Sequence, residues 1–550
     1  MNWMKRLLAL AWLSVLAACG GGGSGSDPSD GSWLSFTPSA LQVSLLEGTS
    51  STLTVQAHSS RTIAQDLYVK IVDPAGVTTG VFVVEMGQTD HDYTVQMEVS
   101  PELAPGVHQG EFEVTLYTDP GFTQRFESAV WQVPYTITVN ARRTVHRLLS
   151  DRQAVGLAAF PNAALSRLEA TVRITDNLAR ATSWTATSDR PWLSATASGT
   201  TGDGSGLVLV ADPASLPADT ISYATVTLSS SDPTVVNQES IRVAVWKGAT
   251  NPSSHTGGAR RYTHAITDRA APLVYAHDGS AIDVVNAYTG AVLATLTPAA
   301  GADLGEMATS SDGTRLYAVN ATSRAIEVFD LASRTRLQPW ALDDGYRHDM
   351  GIQFIRPNGV GVLLSSTTAF LAGTGERIRT DLGLAVHRMV ASDDGSALYG
   401  VNSGISPLSA YKWAVDYVDA NDLGLELVAQ GELGDYDSHG FRPFLALSPD
   451  GRKLYVGAAR IDTGTFTSEA FLPYYDQGDL GNSIDSIAVG RDGRLYANYG
   501  TEFNVFASTG VLARRVVPGG VVAGATATAD GVLAGYIEYS GSGLLRFNRW

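Results

Sequence analysis

The chain has 550 residues, 44% of them hydrophobic and 17% charged, a composition that allows several globular domains and excludes a disordered chain. Its 55 acidic and 38 basic residues give a formal charge of −17, a surface that repels phosphate backbones and excludes nucleic acid as the expected partner. The 56 glycines and 22 prolines, abundant Thr, Val and Tyr, and the want of helical periodicity point to an all-β protein with many tight turns.

At the N-terminus, Lys5 and Arg6 precede an apolar run from Leu7 to Leu16, followed by Ala17, Ala18 and Cys19. A basic start, a short apolar core and small residues before a cleavage point are the layout of a secretory signal. The run is shorter than the roughly 20 residues of a membrane span. Gly20 to Ser32 has no apolar side chain to bury and reads as a flexible tether. Leu16-Ala17-Ala18-Cys19 resembles a bacterial lipobox. The resemblance implies a lipoprotein signal peptide over 1–18, lipidation of Cys19, the only cysteine of the chain, and a tether over 19–32. Gly20 after the cysteine implies an outer-membrane lipoprotein of the cell envelope, held to the membrane by its lipid alone, with its orientation left open.

Residues 33–141 alternate short β-type runs with turns: Leu41 to Leu45, Ser51 to Val55, Leu67 to Ile71 and Gly110 to Leu116. Period-two alternation at this spacing predicts a β-sandwich. Residues 142–248 repeat the plan, with Ala224 to Leu228 following Leu216-Pro217-Ala218 much as Phe112 to Leu116 follows Leu103-Ala104-Pro105. In this second unit Ser183-Trp184, Arg190-Pro191-Trp192-Leu193-Ser194, Ser198-Gly199, the run Gly204 to Pro213 and Tyr223 to Leu228 resemble a BACON domain, an Ig-like sandwich of bacterial surface proteins. The family suggests carbohydrate binding. A Trp on a sandwich strand more often fills the core, so Trp184 and Trp192 are expected inside and both sandwiches are expected to be spacers.

A Pro/Gly/Ser-rich linker over 249–258 leads to a different repeat. Asp-Gly followed by Leu-Tyr recurs at Asp312/Leu316-Tyr317, Asp394/Leu398-Tyr399, Asp450/Leu454-Tyr455 and Asp492/Leu495-Tyr496, with weaker copies at Asn358-Gly359 and Asp530-Gly531. Seven units of about 41 residues fit the roughly 40 to 45 of four-stranded propeller blades. Asp-Gly is expected to supply positive φ angles in a tight hairpin, and Leu-Tyr to fill the space between neighbouring sheets. These segments, with Leu445 to Val456, resemble YVTN-type propeller repeats. The fold expected is therefore all-β: two tandem Ig-like β-sandwiches followed by a seven-bladed β-propeller over 259–550. The last unit is one strand short, and a strand around Gly258 to His264 is expected to complete it and remove both exposed edges.

No Gly-x-Ser-x-Gly, His-Glu-x-x-His, Walker loop or Cys-x-x-Cys is present, so the sequence does not announce an enzyme. The innermost strands of a propeller all begin around one mouth of the central channel, where residues from distant positions converge. Just before those strands stand Arg347-His348-Asp349, His387-Arg388, His439 with Arg442, and Asp485, with Glu306 in the second unit. These are the candidate ligand-binding residues, with imidazoles and carboxylates able to hold a polar ligand or a divalent metal, although no cofactor is expected. Asp435 to Gly440 and Asp419 to Gly424 have part of a calcium loop's pattern but not its spacing. Tyr411 to Val418 and Phe471 to Tyr475 add aromatics that suit either a partner surface or lengthened outer strands. The function expected is a lipid-anchored envelope scaffold presenting its propeller to a glycan or protein, and the alternative is a propeller hydrolase or lyase acting on a sugar acid or lactone.

Overall fold

The computed structural model describes residues 7–9, 31–63, 65–87, 89, 91–141, 145–204, 206–343, 351–380, 382–384, 386–402, 408–417, 423–433, 445–472, 484, 486–517, 522–538 and 543–549. Apart from two single-turn 3₁₀ segments, their regular structure is β-strand, and no helix is long and apolar enough to cross a membrane. The chain forms two compact units, Met1–Arg143 and Thr144–Trp550.

The first unit stacks two sheets. One has the order Leu7–Ala9, Thr78–Met86, Asp92–Val99, Thr52–Ser59, Leu34–Thr37; the other has Leu41–Leu46, Trp131–Asn140, Gly106–Tyr117, Tyr68–Val72. Residues of Thr52–Ser59 alternate strictly between exposed and buried, because successive side chains of a strand point to opposite faces. Its inward residues Leu53 and Val55, with Met97 of Asp92–Val99, meet Phe112, Val133 and Ile137 of the other sheet in a single core. Leu7–Ala9, inside the expected signal segment, lies antiparallel to Phe82–Val84 at the sheet edge. Cys19 and the tether are outside the described residues.

The second unit begins with another two-sheet sandwich. Its sheets run Leu148–Ser150, Glu169–Asp176, Gly206–Ala211, Leu193–Ala195, and Ala154–Ala159, Glu239–Lys247, Thr220–Ser229, Ser183–Ser188, Ser198–Thr200. Trp184 is 1% exposed at the centre of its core and Trp192 packs at the margin, so Trp184 has no face to offer a sugar ring.

Beyond it, the described residues form seven antiparallel sheets arranged as a β-propeller. Each is a meander, and the first strands are His264–Thr267, Leu304–Thr309, Ile352–Ile355, Arg388–Ala391, Leu445–Leu447, Ser486–Val489 and Val522–Ala527. Each of these touches the next, and the last touches the first, so they line a closed ring around a central channel. The seam differs from expectation. The outermost strand of the last sheet is His255–Gly257, antiparallel to Leu545–Phe547, and His264 begins the innermost strand of the first sheet instead. Three residues suffice because pairing first with last removes both edges.

Leu-Tyr works by strand alternation. Leu316 packs toward the first sheet and Tyr317 toward the third; Leu454 and Tyr455, and Leu495 and Tyr496, likewise divide between successive inter-sheet cores. The Asp-Gly turns correct the expectation in one respect. Only the glycine has positive φ, as in Gly313 (65°), Gly395 (71°) and Gly451 (70°). The aspartate instead braces the turn as an acceptor: Asp312 Oδ1 takes Ser310 Oγ at 2.5 Å and the Thr314 N–H at 3.0 Å, and Asp394, Asp450 and Asp530 do the same from Ser392, Ser448 and Thr528 and from the N–H two residues on. Within each turn the glycine N–H bonds back to the Ser or Thr carbonyl three residues earlier, a type I turn closed by glycine rather than a two-residue hairpin.

These turns lie where the innermost strands end, and the second sandwich sits on them. Gly156 packs so closely that a Cβ there would lie 2.5 Å from the Ala270 carbonyl and 2.9 Å from Ala529. Arg242 Nη1 donates to the Gly313 carbonyl at 2.6 Å, Ser311 Oγ to Gln153 Oε1 at 2.5 Å, and Arg147 Nη1 to the Asn358 carbonyl at 3.2 Å. Trp246 stacks on Tyr288 at 5.2 Å and 14°, and the Tyr288 hydroxyl donates to Asp530 at 2.8 Å. Ala154 and Ala244 of the sandwich share one core with Ala270, Ala271 and Leu273 of the first ring sheet. The second sandwich is thus docked on the ring rather than spaced from it.

Candidate functional site

The opposite end of the channel, where the innermost strands begin, holds the charged residues. Glu306 lies in the second such strand, Arg388 opens the fourth and His264 opens the first. Glu306 is ion-paired to Arg388 across the ring, past the third sheet, and His264 Nε2 approaches the same carboxylate oxygen at 3.6 Å. Burial by itself would raise the Glu306 carboxyl, but the Arg388 guanidinium, joined by His264, holds it down at about 2. Glu306 is therefore an anion at any physiological pH, unable to serve as a general acid and weak as a base.

His264 is held by a second imidazole. The two rings of His264 and His277 stack at 4.9 Å and 12°. His277 faces the Gly305 carbonyl through Nε2 at 2.8 Å and accepts the Gly279 N–H at Nδ1 at 3.0 Å, which requires the neutral tautomer with its proton on Nε2. Burial, with the neighbouring His264 second, lowers its pKa to about 4. His277 is a fixed neutral platform, and the triad His264, Glu306 and Arg388 stands on it.

Of the candidate residues, the structure brings together Glu306 and Arg388. His387 precedes Arg388 in the chain, its N–H bonded to the Val401 carbonyl at 3.0 Å and its own carbonyl accepting the Gly351 N–H at 3.1 Å. Arg347, His348, Asp349, His439, Arg442 and Asp485 are outside the described residues, as are Asp435 to Gly440 and 419–422. Sequence reasoning missed His264, because the stretch ending there was assigned to the seam. The signal was its place nine residues before Leu273 of Leu273-Val274-Tyr275, the first sheet's counterpart of Leu-Tyr. Among the described residues, no group of three or more His, Cys, Asp or Glu is placed to hold a metal ion. Tyr411 to Tyr417 turns out to be packing: Tyr411 stacks on Trp413 at 5.6 Å, and Trp413, Val415 and Tyr417 are buried between the third and fourth sheets. Phe471 lies under the Arg460 guanidinium at 3.9 Å.

The fold and this geometry define a β-propeller protein with one channel end occupied by a docked sandwich and the other carrying the Glu306–Arg388 ion pair beside His264. No family model and no curated protein matches the chain. Among solved structures it is similar to Kuenenia stuttgartiensis hydrazine synthase, at 15% identity and a TM-score of 0.44 over 54% of this chain and 97% of that one. A chain of a mitotic checkpoint complex matches at 14% and 0.42 over 55% and 92%. The Myceliophteria thermophila Cps50 (Swd1) β-propeller domain matches at 12% and 0.42 over 54% and 98%.

Proposed function

We propose that this chain is a cell-envelope lipoprotein in which two tandem Ig-like sandwiches, the second BACON-like, carry a seven-bladed propeller of YVTN type, and that the channel mouth at His264, Glu306 and Arg388 receives an envelope protein or a glycan without turning it over. The observation that carries this reading is the cluster of His264, Glu306 and Arg388 at the channel end opposite the turns on which the second sandwich is docked. Anchorage through Cys19, with outer-membrane placement from Gly20, rests on the lipobox resemblance. A binding role is favoured over a hydrolase or lyase because Glu306 is held ionised by the Arg388 guanidinium, an arrangement suited to electrostatic recognition and not to proton transfer.

The test has two parts. Growth with an alkyne-bearing fatty acid labels the wild-type protein and not a Cys19→Ser variant if the anchor is real. A photo-crosslinking side chain at Gln353, in the third innermost strand, yields partner adducts in intact cells, whereas one at Gly313, under the sandwich, yields none. Equal labelling of both anchor variants, or adducts at Gly313 alone, contradicts the reading.

A further inference from the structure

One edge of the first sandwich is made to pair. Thr78–Met86 is the outer strand of its sheet on the side where, among the described residues, only Leu7–Ala9 lies beyond it. Thr79, Val81, Val83 and Glu85 are exposed along it while Phe82 is buried, and Val81 is 60% and Val83 42% exposed. The apolar outward side chains are confined to this edge. On the next two strands the exposed positions are Gln96 and Glu98, then Thr52, Thr54 and Gln56.

Proteins blunt free sheet edges with short strands, charge or proline. The opposite edge of this sheet, Leu34–Thr37, is four residues long and runs into Pro38. The edge Tyr68–Val72 of the other sheet has Lys70 at its centre and Asp73-Pro74 after it. Thr78–Met86 is nine residues long with no Lys, Arg or Pro, and Val81-Phe82-Val83-Val84 has high β-propensity. A bulge between Thr78 and Phe82 twists its start, but from Phe82 to Met86 the strand pairs one for one with Met97 to Tyr93. Leu7, Leu8 and Ala9 take the free side of this regular part, opposite Val84, Val83 and Phe82. The edge thus accepts an extended apolar strand.

We infer that in the processed protein this place is taken by the same strand of a second copy, which joins two chains edge to edge as a two-fold dimer. The inference rests on the anchor reading, because removal of residues 1–18 takes Leu7–Ala9 away and leaves the edge bare. Self-complementarity selects the occupant. An antiparallel pair of identical strands obeys a two-fold axis. With that axis at Phe82, Val81 of each copy stands opposite Val83 of the other, so the exposed valines cover one another. The same register sets Glu85 opposite Thr79. An axis at Val84 would instead make the two Glu85 carboxylates diagonal neighbours, which repel. Lipid anchors that hold both chains to one membrane raise their effective concentration and favour the pairing.

The test is disulfide cross-linking in intact cells with a Val81→Cys/Val83→Cys double variant. Its controls are the wild type, whose one thiol is Cys19, and Thr54→Cys on an interior strand of the same sheet. The double variant is expected to give a band of twice the chain mass that both controls lack. Sedimentation of the protein purified in detergent is expected to show a dimer for the wild type and a monomer for Val83→Lys. The far-UV spectrum of Val83→Lys should match the wild type, which separates lost pairing from lost folding. Processed protein that cross-links no more than the controls, that sediments as a monomer, or that forms adducts with a different protein at these cysteines overturns the inference. Intact mass on the same sample separates it from the anchor reading: retention of residues 1–18 contradicts both, whereas a processed monomer contradicts the edge pairing alone.

Discussion

Arg356 of the ring and Glu239 of the second sandwich form an ion pair buried on both sides, the side chains 9% and 2% exposed. Glu239 also accepts the Ser150 N–H at 3.1 Å and the Ser150 hydroxyl, so the carboxylate joins both sandwich sheets to the third ring sheet. Removing one partner of such a pair strands a charge, at a cost of about 3–5 kcal/mol, whereas replacing both by apolar side chains is far cheaper. Glu239→Gln is therefore expected to lower the stability of the second unit by that order in denaturant unfolding, and Glu239→Leu with Arg356→Met to recover most of it.

Glycine turns of like geometry should respond differently according to what faces them. Gly395 has φ 71°, and a Cβ there would meet the Arg356 backbone at 2.5 and 2.6 Å; Gly451 has φ 70° and nothing within 4 Å. Gly451→Ala should cost only the strain of a left-handed residue, about 1–2 kcal/mol. Gly395→Ala carries the same strain plus displacement of main chain, and its melting temperature should fall well below that of Gly451→Ala.

The His277 platform sets a pH dependence. In the unfolded chain the imidazole takes a proton near 6.5, but in the fold only near 4. The folded protein thus binds fewer protons between those values, and stability that is complete above 6.5 is lost as pH falls toward 4. His277→Gln keeps a donor for Gly305 and an acceptor for Gly279 but cannot titrate. The stability gap between wild type and His277→Gln should therefore shrink or reverse between pH 7.5 and 4.5, by on the order of 2–3 kcal/mol. Glu306, depressed from 4.5 to about 2, adds its own loss only below pH 4.5.

Glu306 and Arg388 should be energetically coupled. With side chains 19% and 14% exposed, a double-mutant cycle of Glu306→Gln and Arg388→Met is expected to give about 1–3 kcal/mol. Additive single effects would place the two residues out of contact and remove the charged mouth as described.

How much of this was legible in the sequence depended on whether the cause was local. Leu316-Tyr317 and its copies announced inter-sheet packing because strand alternation alone sends one side chain to each face. The turns were legible in the same way, although the Ser310 and Ser392 hydroxyls that brace Asp312 and Asp394 went unnoticed two residues upstream. The docking of the second sandwich was not legible. It depends on Gly156 meeting Ala270 and Ala529, and on Glu239 meeting Arg356, positions joined only once the ring has closed. The charged mouth was half legible: Glu306 and Arg388 carried chemistry at strand starts, but His264 could be recognised only after the seam strand had been placed at His255–Gly257.

The docked arrangement is tested most directly by hydrogen exchange at three turn amides with the same bond. The N–H groups of Gly313, Gly451 and Gly531 each donate to the carbonyl three residues earlier, at 3.0, 2.8 and 2.8 Å. Gly313 is bonded to Arg242 of the sandwich, Gly531 comes two residues after Ala529, which packs against Gly156, and a Cβ added at Gly451 would meet nothing within 4 Å. With local hydrogen bonding matched, any difference reports the cover. Exchange should be markedly slower at Gly313 and Gly531 than at Gly451; equal rates at all three would contradict the docking of the second sandwich on the ring.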